Sequence, residues 1–176
     1  MILSKQIIGI VLFIAGVISC YQGALSQNLW LGPLVVGLIM LYDLSSQKKW
    51  VFQKIKLFAL IGLGAAILES LLILFSVYTV TETTRWFLPA PLLPLWIFSL
   101  WMNYAVRVPA YLPFFHGKHV ANFSIGAVFG IIIFRLAEKR ELVDLEHGMI
   151  SLLIIAMAWA LYAMAIYQFA PRFYKQ

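Results

Sequence analysis

The stretch LFALIGLGAAILESLLILFSVYTV, Leu57 to Val80, decides the fold class. It lies between Lys56 and Thr81-Glu82 and carries a single charged residue, Glu69. A helix needs about 20 apolar residues, at 1.5 Å each, to cross a hydrocarbon core of about 30 Å. The run is long enough to span a membrane. Glu69 stands near its middle, where an ionisable group costs on the order of a few kcal/mol and is normally turned toward protein or a water-filled cavity.

Composition agrees with a membrane setting. The chain is 63% hydrophobic and 11% charged, against about 25% charged in soluble domains. A soluble fold of 176 residues leaves too much surface exposed to hide that much apolar side chain. Backbone polar groups in hydrocarbon must be satisfied within the spanning structure, by helices or closed barrels. Barrel strands alternate in polarity over about 10 residues, whereas these runs are continuously apolar. The expected fold is all-α, a polytopic transmembrane bundle of about six helices in one integral membrane domain, 1–176. The net charge of +6 does not point to nucleic acid, because the basic residues gather at the ends of apolar runs, the positive-inside pattern. Cys20 is the single cysteine, so no intrachain disulfide and no cysteine metal cluster is expected.

The apolar runs predict helices at 7–24, 29–44, 57–80, 92–108, 119–136 and 149–169. The first has a second reading, since Val17-Ile18-Ser19-Cys20 resembles a lipobox that would make Cys20 a lipidated terminus after cleavage. A second apolar run follows at once across Ser26-Gln27-Asn28, which favours a helical hairpin with an ordinary buried cysteine. Between the second and third runs, SSQKKWVFQKIK interleaves Lys48, Lys49, Lys54 and Lys56 with Trp50, Val51, Phe52 and Ile55. Such a segment is either a plain basic loop or an amphipathic stretch resting its lysines on anionic headgroups, at about 1 kcal/mol each. Pro109 to Pro113 is expected to interrupt the fourth run.

Six crossings predict an orientation. With the N-terminus inside, Lys5, Lys48, Lys49, Lys54, Lys56, Arg107, Lys118, Arg172 and Lys175 fall on the cytoplasmic side, and Arg85, Arg135, Lys139 and Arg140 on the other. That asymmetry places both termini in the cytoplasm of a multi-pass protein of the bacterial inner membrane. Trp30, Trp50 and Trp86 fall at the expected interfaces.

Small residues at four-residue spacing let membrane helices approach closely. Gly126 and Gly130 form one such face, Gly62, Ala66 and Ser70 another, and Ala156 and Ala160 a third. Glu69 adjoins the second face and is expected to point inward. Counting from the outer ends of regular helices, Asn103 lies at its depth and Arg107 one turn deeper. The expected site is an intramembrane cluster of Glu69, Asn103 and Arg107, joined by Tyr104 or Asn122. With Arg107 as partner, Glu69 belongs to a structural clamp or an anion-recognition site; without it, the carboxyl can exchange protons. A third reading leaves it hydrogen-bonded to a neighbour, fixing helix register. His116-x-x-His119 can present two imidazoles on one helical face. It lacks the carboxylate spacing of a zinc peptidase, and His147 is expected on the opposite side, so no metal or other cofactor is implied. Neither a nucleophile elbow nor a phosphate loop is present.

LWLGPLVVGLIMLYDL at Leu29–Leu44, AILESLL at Ala66–Leu72 and PAPLLPLWIFSLW at Pro89–Trp101 together resemble domain-of-unknown-function family 2878, small integral membrane proteins of bacteria. The resemblance implies an acid at the Glu69 position, often aspartate. It also implies an Asn-His pair near Pro109-Ala110 and a Gly-Pro step near Gly130-Ile131, both missing here. It implies no established activity, and suggests genomic company with membrane-lipid-modifying enzymes such as cyclopropane-fatty-acid synthase.

Three function classes remain open on these grounds. One is an accessory or structural inner-membrane component linked to lipid modification or envelope response. The second is a small proton-linked carrier using Glu69, for which inverted repeats would be the mark; the halves show no convincing repeat. The third is a membrane-embedded enzyme acting on a lipid, which needs a second polar group converging on Glu69. Membrane lipids are the expected partners, with a second copy or other membrane proteins also open.

Overall fold

In the computed structural model, residues 2–46, 50–85 and 91–174 are described. Lys48, Lys49, Trp86, Pro89, Ala90 and Lys175 lie outside the described residues, as do the side chains of Lys5 and Arg85. The chain is an all-α bundle. Its elements are α1 (Ile2–Leu25), α2 (Leu31–Ser46), α3 (Val51–Leu74), β1 (Thr79–Val80), the one-turn α4 (Glu82–Arg85), α5 (Leu95–Phe115), α6 (His119–Lys139), β2 (Val143–Asp144) and α7 (Met149–Phe169), closed by a 3-10 turn, Ala170–Phe173. Helix α5 is the hub, packing on α1, α2, α3, α6 and α7, while α6 lies along α7 and α1 along α2.

Outward faces of the long helices are mostly apolar. On α3, Leu60, Leu63, Ile67, Leu71 and Leu74 are exposed while Leu57, Ile61, Ala65 and Leu72 are buried, so both sides of one helix are hydrocarbon. Exposed apolar surface on that scale marks contact with lipid rather than water. Gln6–Leu25, Val51–Leu74, His119–Lys139 and Met149–Phe173 are long and apolar enough to cross a membrane. Helix α2 has 16 residues, roughly 24 Å at 1.5 Å per residue. Helix α5 has 21 residues but holds Asn103, Arg107, Pro109 and Pro113.

Two expected boundaries are corrected. The third helix spans 51–74 rather than 57–80. It stops because Ser76 takes a left-handed conformation, φ 52°, and the chain folds back on the helix end. Ser76 N–H donates to Ile73 O at 3.0 Å and Val77 N–H to Leu72 O at 2.9 Å, the paired bonds of a Schellman cap. Glycine usually holds that position, since it has no β-carbon to clash, and a serine gives no such warning. The fourth helix spans 95–115 rather than 92–108. Pro109 and Pro113 remove backbone donors but do not end it; prolines are tolerated where neighbouring helices enclose the freed carbonyls. Pro94, with φ −70° and ψ 150°, is the residue before its first turn.

Helix α6 ends as α3 does, with Glu141 at φ 58° and Leu142 N–H donating to Ala137 O at 2.9 Å. The two reversals lead into β1 and β2, which pair antiparallel, Thr79 opposite Asp144 and Val80 opposite Val143. This clasp holds the ends of α3 and α6 and the start of α7 together. The opposite end holds the α2–α3 junction and the C-terminal turn, where the Trp50 and Tyr174 rings lie 5.8 Å apart.

Candidate functional site

Glu69 is fully buried. Its position follows from the early end of α3. With the helix closing at Leu74, Glu69 lies five residues from the end, about 8 Å at 1.5 Å per residue, rather than near the middle. Trp101, six residues into the antiparallel α5, comes to that level, and its indole Nε1–H donates to Glu69 Oε1 at 2.9 Å. Trp159 of α7 donates to the same oxygen at 2.8 Å. Tyr78 donates its hydroxyl to Oε2 at 2.8 Å. That last bond spans nine residues, which a continuing helix would separate by about 13 Å along its axis; the Ser76 reversal brings Tyr78 back over the helix end.

One carboxylate thus ties α3, α5, α7 and the turn before β1. The donors are neutral and rigid. Their rings pack on one another, with Trp101 and Trp159 centroids 4.5 Å apart, Trp101 and Tyr162 5.0 Å apart, and Tyr78 and Phe134 4.7 Å apart. Phe134 in turn meets Trp159 edge-on at 5.9 Å. Close approach of α6 makes room for this arrangement: a β-carbon on Gly126 would lie 2.6 Å from the Trp159 carbonyl oxygen. Trp101 and Trp159 also line a narrow cavity of about 40 Å³ bordered by Phe13, Val17, Gly126 and Phe129. Its lining is apolar, and apolar cavities stay dry.

The expected cluster is not assembled, and its members have other partners. Asn103 is buried, but two residues beyond Trp101 it faces α1, where its amide donates to Phe13 O at 2.9 Å. It fills the notch left by Gly16, whose β-carbon would sit 2.5 Å from Oδ1. Tyr104 stands in the aromatic ladder, 5.9 Å from Trp101 and 6.3 Å from Tyr167. Asn122 clamps the α5–α6 turn through a 2.9 Å bond to Phe115 O. Arg107 lies toward the other end, near Asp43 and Tyr111.

The lysine expectation is corrected at Lys54 alone. Lys54 does not reach headgroups with its neighbour; it is 1% exposed and bonds Asp43 Oδ2 at 2.5 Å. Lys56 is exposed, over the Phe52 ring at 4.3 Å. Of the small faces, Gly62 meets Met102 and Phe98, and Gly130 meets Trp159. Ala66 and Ser70 are half-buried, with Ala65 in the contact instead. Cys20 is buried beneath Gly32. His116 lies 3.4 Å from Tyr167 O, and among the described residues no three His, Cys, Asp or Glu gather as a metal would need.

Sequence reasoning missed Tyr78, Trp101 and Trp159 as partners of Glu69. Trp159 did carry a signal. It sits ten residues inside α7, away from any interfacial belt, and a buried indole N–H demands an acceptor. Tyr78 carried none, because its approach depends on the Ser76 turn.

The family described as "Protein of unknown function (DUF2878)" matches residues 6–165. The chain belongs to the DUF2878 family. The match reaches from the first turns of α1 to the last turns of α7, so it takes in part or all of every helix of this DUF2878 member and the whole Glu69 site. Neither the curated proteins nor the solved structures compared contain a match to the chain.

Proposed function

We propose that this DUF2878 member is a non-catalytic accessory or structural component of the bacterial inner membrane, with Glu69 as the polar anchor of its bundle. The observation that carries the reading is the donor set on Glu69. Three side chains from three separate segments converge on one buried carboxyl group and occupy both oxygens. A carrier or an enzyme needs an acceptor open to substrate or water, and the neighbouring cavity is apolar. Six helices crossing, with both termini cytoplasmic, is the topology that fits the basic residues, and it makes α2 and α5 spans beside the four longer helices. A role beside lipid-modifying enzymes rests on the family resemblance.

Substitution at one position tests the anchor. Glu69→Gln keeps the shape: one oxygen still accepts from both indoles, and the amide can donate to the Tyr78 oxygen. It is expected to retain nearly wild-type thermal stability in lipid nanodiscs, while Glu69→Leu unfolds far earlier. Proton-driven uptake by liposomes carrying wild type, lost in Glu69→Gln, would replace this reading with the carrier. For the lipid context, a deletion strain with an altered acyl or headgroup profile is the expected result, and an unchanged profile removes that link.

A further inference from the structure

Helices α3 and α7 leave a groove of about 250 Å³ between them, toward the end of the bundle opposite the clasp. Leu57, Leu60 and Gly64 of α3 and Tyr162, Ile166 and Phe169 of α7 form its wall. Steps of three and four residues put each trio on one face of its helix, and α3 runs toward the clasp while α7 runs away from it. The groove therefore follows the helix axes from the level of Gly64 and Tyr162 to that of Leu57 and Phe169, about 10 Å at 1.5 Å per residue. Leu60 and Phe169 are exposed, so the groove is continuous with the apolar outer surface that lipid covers.

Its two ends differ. On the clasp side the Tyr162 hydroxyl donates to Ile61 O at 2.7 Å and lies over Gly64, where a β-carbon would collide with it. Among the described residues Tyr162 is the one polar side chain on the wall, and its hydrogen is directed at α3. The interior thus offers a ligand hydrocarbon contact alone. At the other end stands Arg172. Its guanidinium lies 4.6 Å from the centre of the Phe169 ring, a ring of the groove wall, and the turn that carries it packs on both α3 and α7. Arg172 is exposed, and among the described residues no carboxylate pairs with it. It is the penultimate residue of the apolar span Met149–Phe173, the level at which a crossing helix meets headgroups. Stacking uses the flat face of a guanidinium and leaves the N–H donors in its plane free.

We propose that this groove seats an acyl chain of an anionic phospholipid, with Arg172 holding the phosphate at its open end. The apolar wall selects a hydrocarbon tail, and the volume exceeds the roughly 150 Å³ of an apolar cavity that takes up benzene. The cation selects a tail joined to an anion, since guanidinium meets phosphate through two parallel N–H bonds. Phe169 joins the two halves of the site, because it borders the groove and carries the cation. The seat is separate from the Glu69 anchor and stands or falls independently of it.

Photolabelling of the purified full chain, by phosphatidylglycerol with a diazirine in its acyl chain, tests where the tail lies. Peptide mass spectrometry is expected to find the label at Leu60, Ile166 or Phe169. Label spread evenly over the outer helix faces, or gathered on α1 or α6, overturns the seat. Native mass spectrometry with phosphatidylglycerol or phosphatidylcholine then reads the headgroup. Wild type is expected to prefer phosphatidylglycerol, and Arg172→Gln to lose about fivefold of that preference, the worth of one basic residue near an anionic surface. Lys118→Gln, exposed at the same end, is expected to bind as wild type. Undiminished preference in Arg172→Gln overturns the site, as does an equal loss in Lys118→Gln, the sign of diffuse surface charge. Ala165→Phe puts a ring into the groove and is expected to weaken binding of both lipids; if it fails to fold, the label on wild type decides. A dimer that Ala165→Phe abolishes, with no label on the wall, gives the groove to a second copy of the chain and overturns the lipid.

Discussion

Asp43 and Glu69 are both carboxylates on apolar helices, and the bundle accommodates them by different chemistry. Glu69, inside the bundle, is held by two indoles and a phenol, and among the described residues no cation hydrogen-bonds it. Asp43, one turn from a helix end and 17% exposed, is held by a lysine at 2.5 Å with Arg107 in range. Depth accounts for the difference. Bringing a lysine or arginine to the interior adds the desolvation of a second ion, which Coulomb attraction seldom repays in full. Aromatic donors bring their hydrogen-bonding group together with large apolar surface and few torsions to freeze. Near a helix end, water and headgroups share the solvation, and a long basic side chain keeps its stem in hydrocarbon. Both oxygens of the interior carboxyl group accept from neutral donors, whereas the peripheral carboxylate is met by a charged one.

The sharpest way to break this comparison is Glu69→Leu. It strands two indole donors and a hydroxyl, each worth about 0.6–2 kcal/mol in a membrane protein. Denaturation in mixed micelles is expected to show a loss of about 2–5 kcal/mol, with Glu69→Gln within about 1 kcal/mol of wild type. Comparable losses for the two variants would mean the charge itself, rather than the acceptor, holds the bundle. Lys54→Met probes the other carboxylate. It leaves Asp43 unpaired, and removing one partner of a buried pair costs about 3–5 kcal/mol; the partial exposure of Asp43 lowers the expectation to about 2 kcal/mol, to be restored largely by adding Asp43→Asn. Gly126→Ala forces α6 from the Trp159 backbone and is expected to cost about 1–3 kcal/mol by overpacking. Tryptophan fluorescence should shift in the same variant if the Trp159–Glu69 bond is disturbed. The smallest effect is expected from Tyr78→Phe, about 1 kcal/mol for a single bond to Oε2, with both indoles still on Oε1.

How far each element was legible depended on how local its cause is. Helix existence and the apolar outer faces follow from runs of side chains, so α3, α6 and α7 were visible as spans. The early end of α3 was not, because a serine at φ 52° has no propensity signature. That one turn moved the level of Glu69 by about a quarter of the helix and exchanged Asn103 for Trp101 as its neighbour. Asn103 and Trp101 also lie two residues apart on α5, on nearly opposite faces; only the packing of α1 against one face and of α3 and α7 against the other assigns their partners. Lys54 shows the same limit. Among lysines in a basic loop it looked like Lys56, and the proximity of Asp43, eleven residues earlier, takes it inside.

By itself, the amino-acid sequence determined the solvent of this protein, the helical class and the presence of a carboxyl group that must face inward. Those are consequences of hydrophobicity and backbone hydrogen bonding, which act residue by residue along the chain. Only the tertiary structure decided which donors reach Glu69 and which lysine reaches Asp43 at the other end. Helix ends, rotation and tilt set those distances, and a shift of one turn, about 5 Å, exceeds the reach of a hydrogen bond.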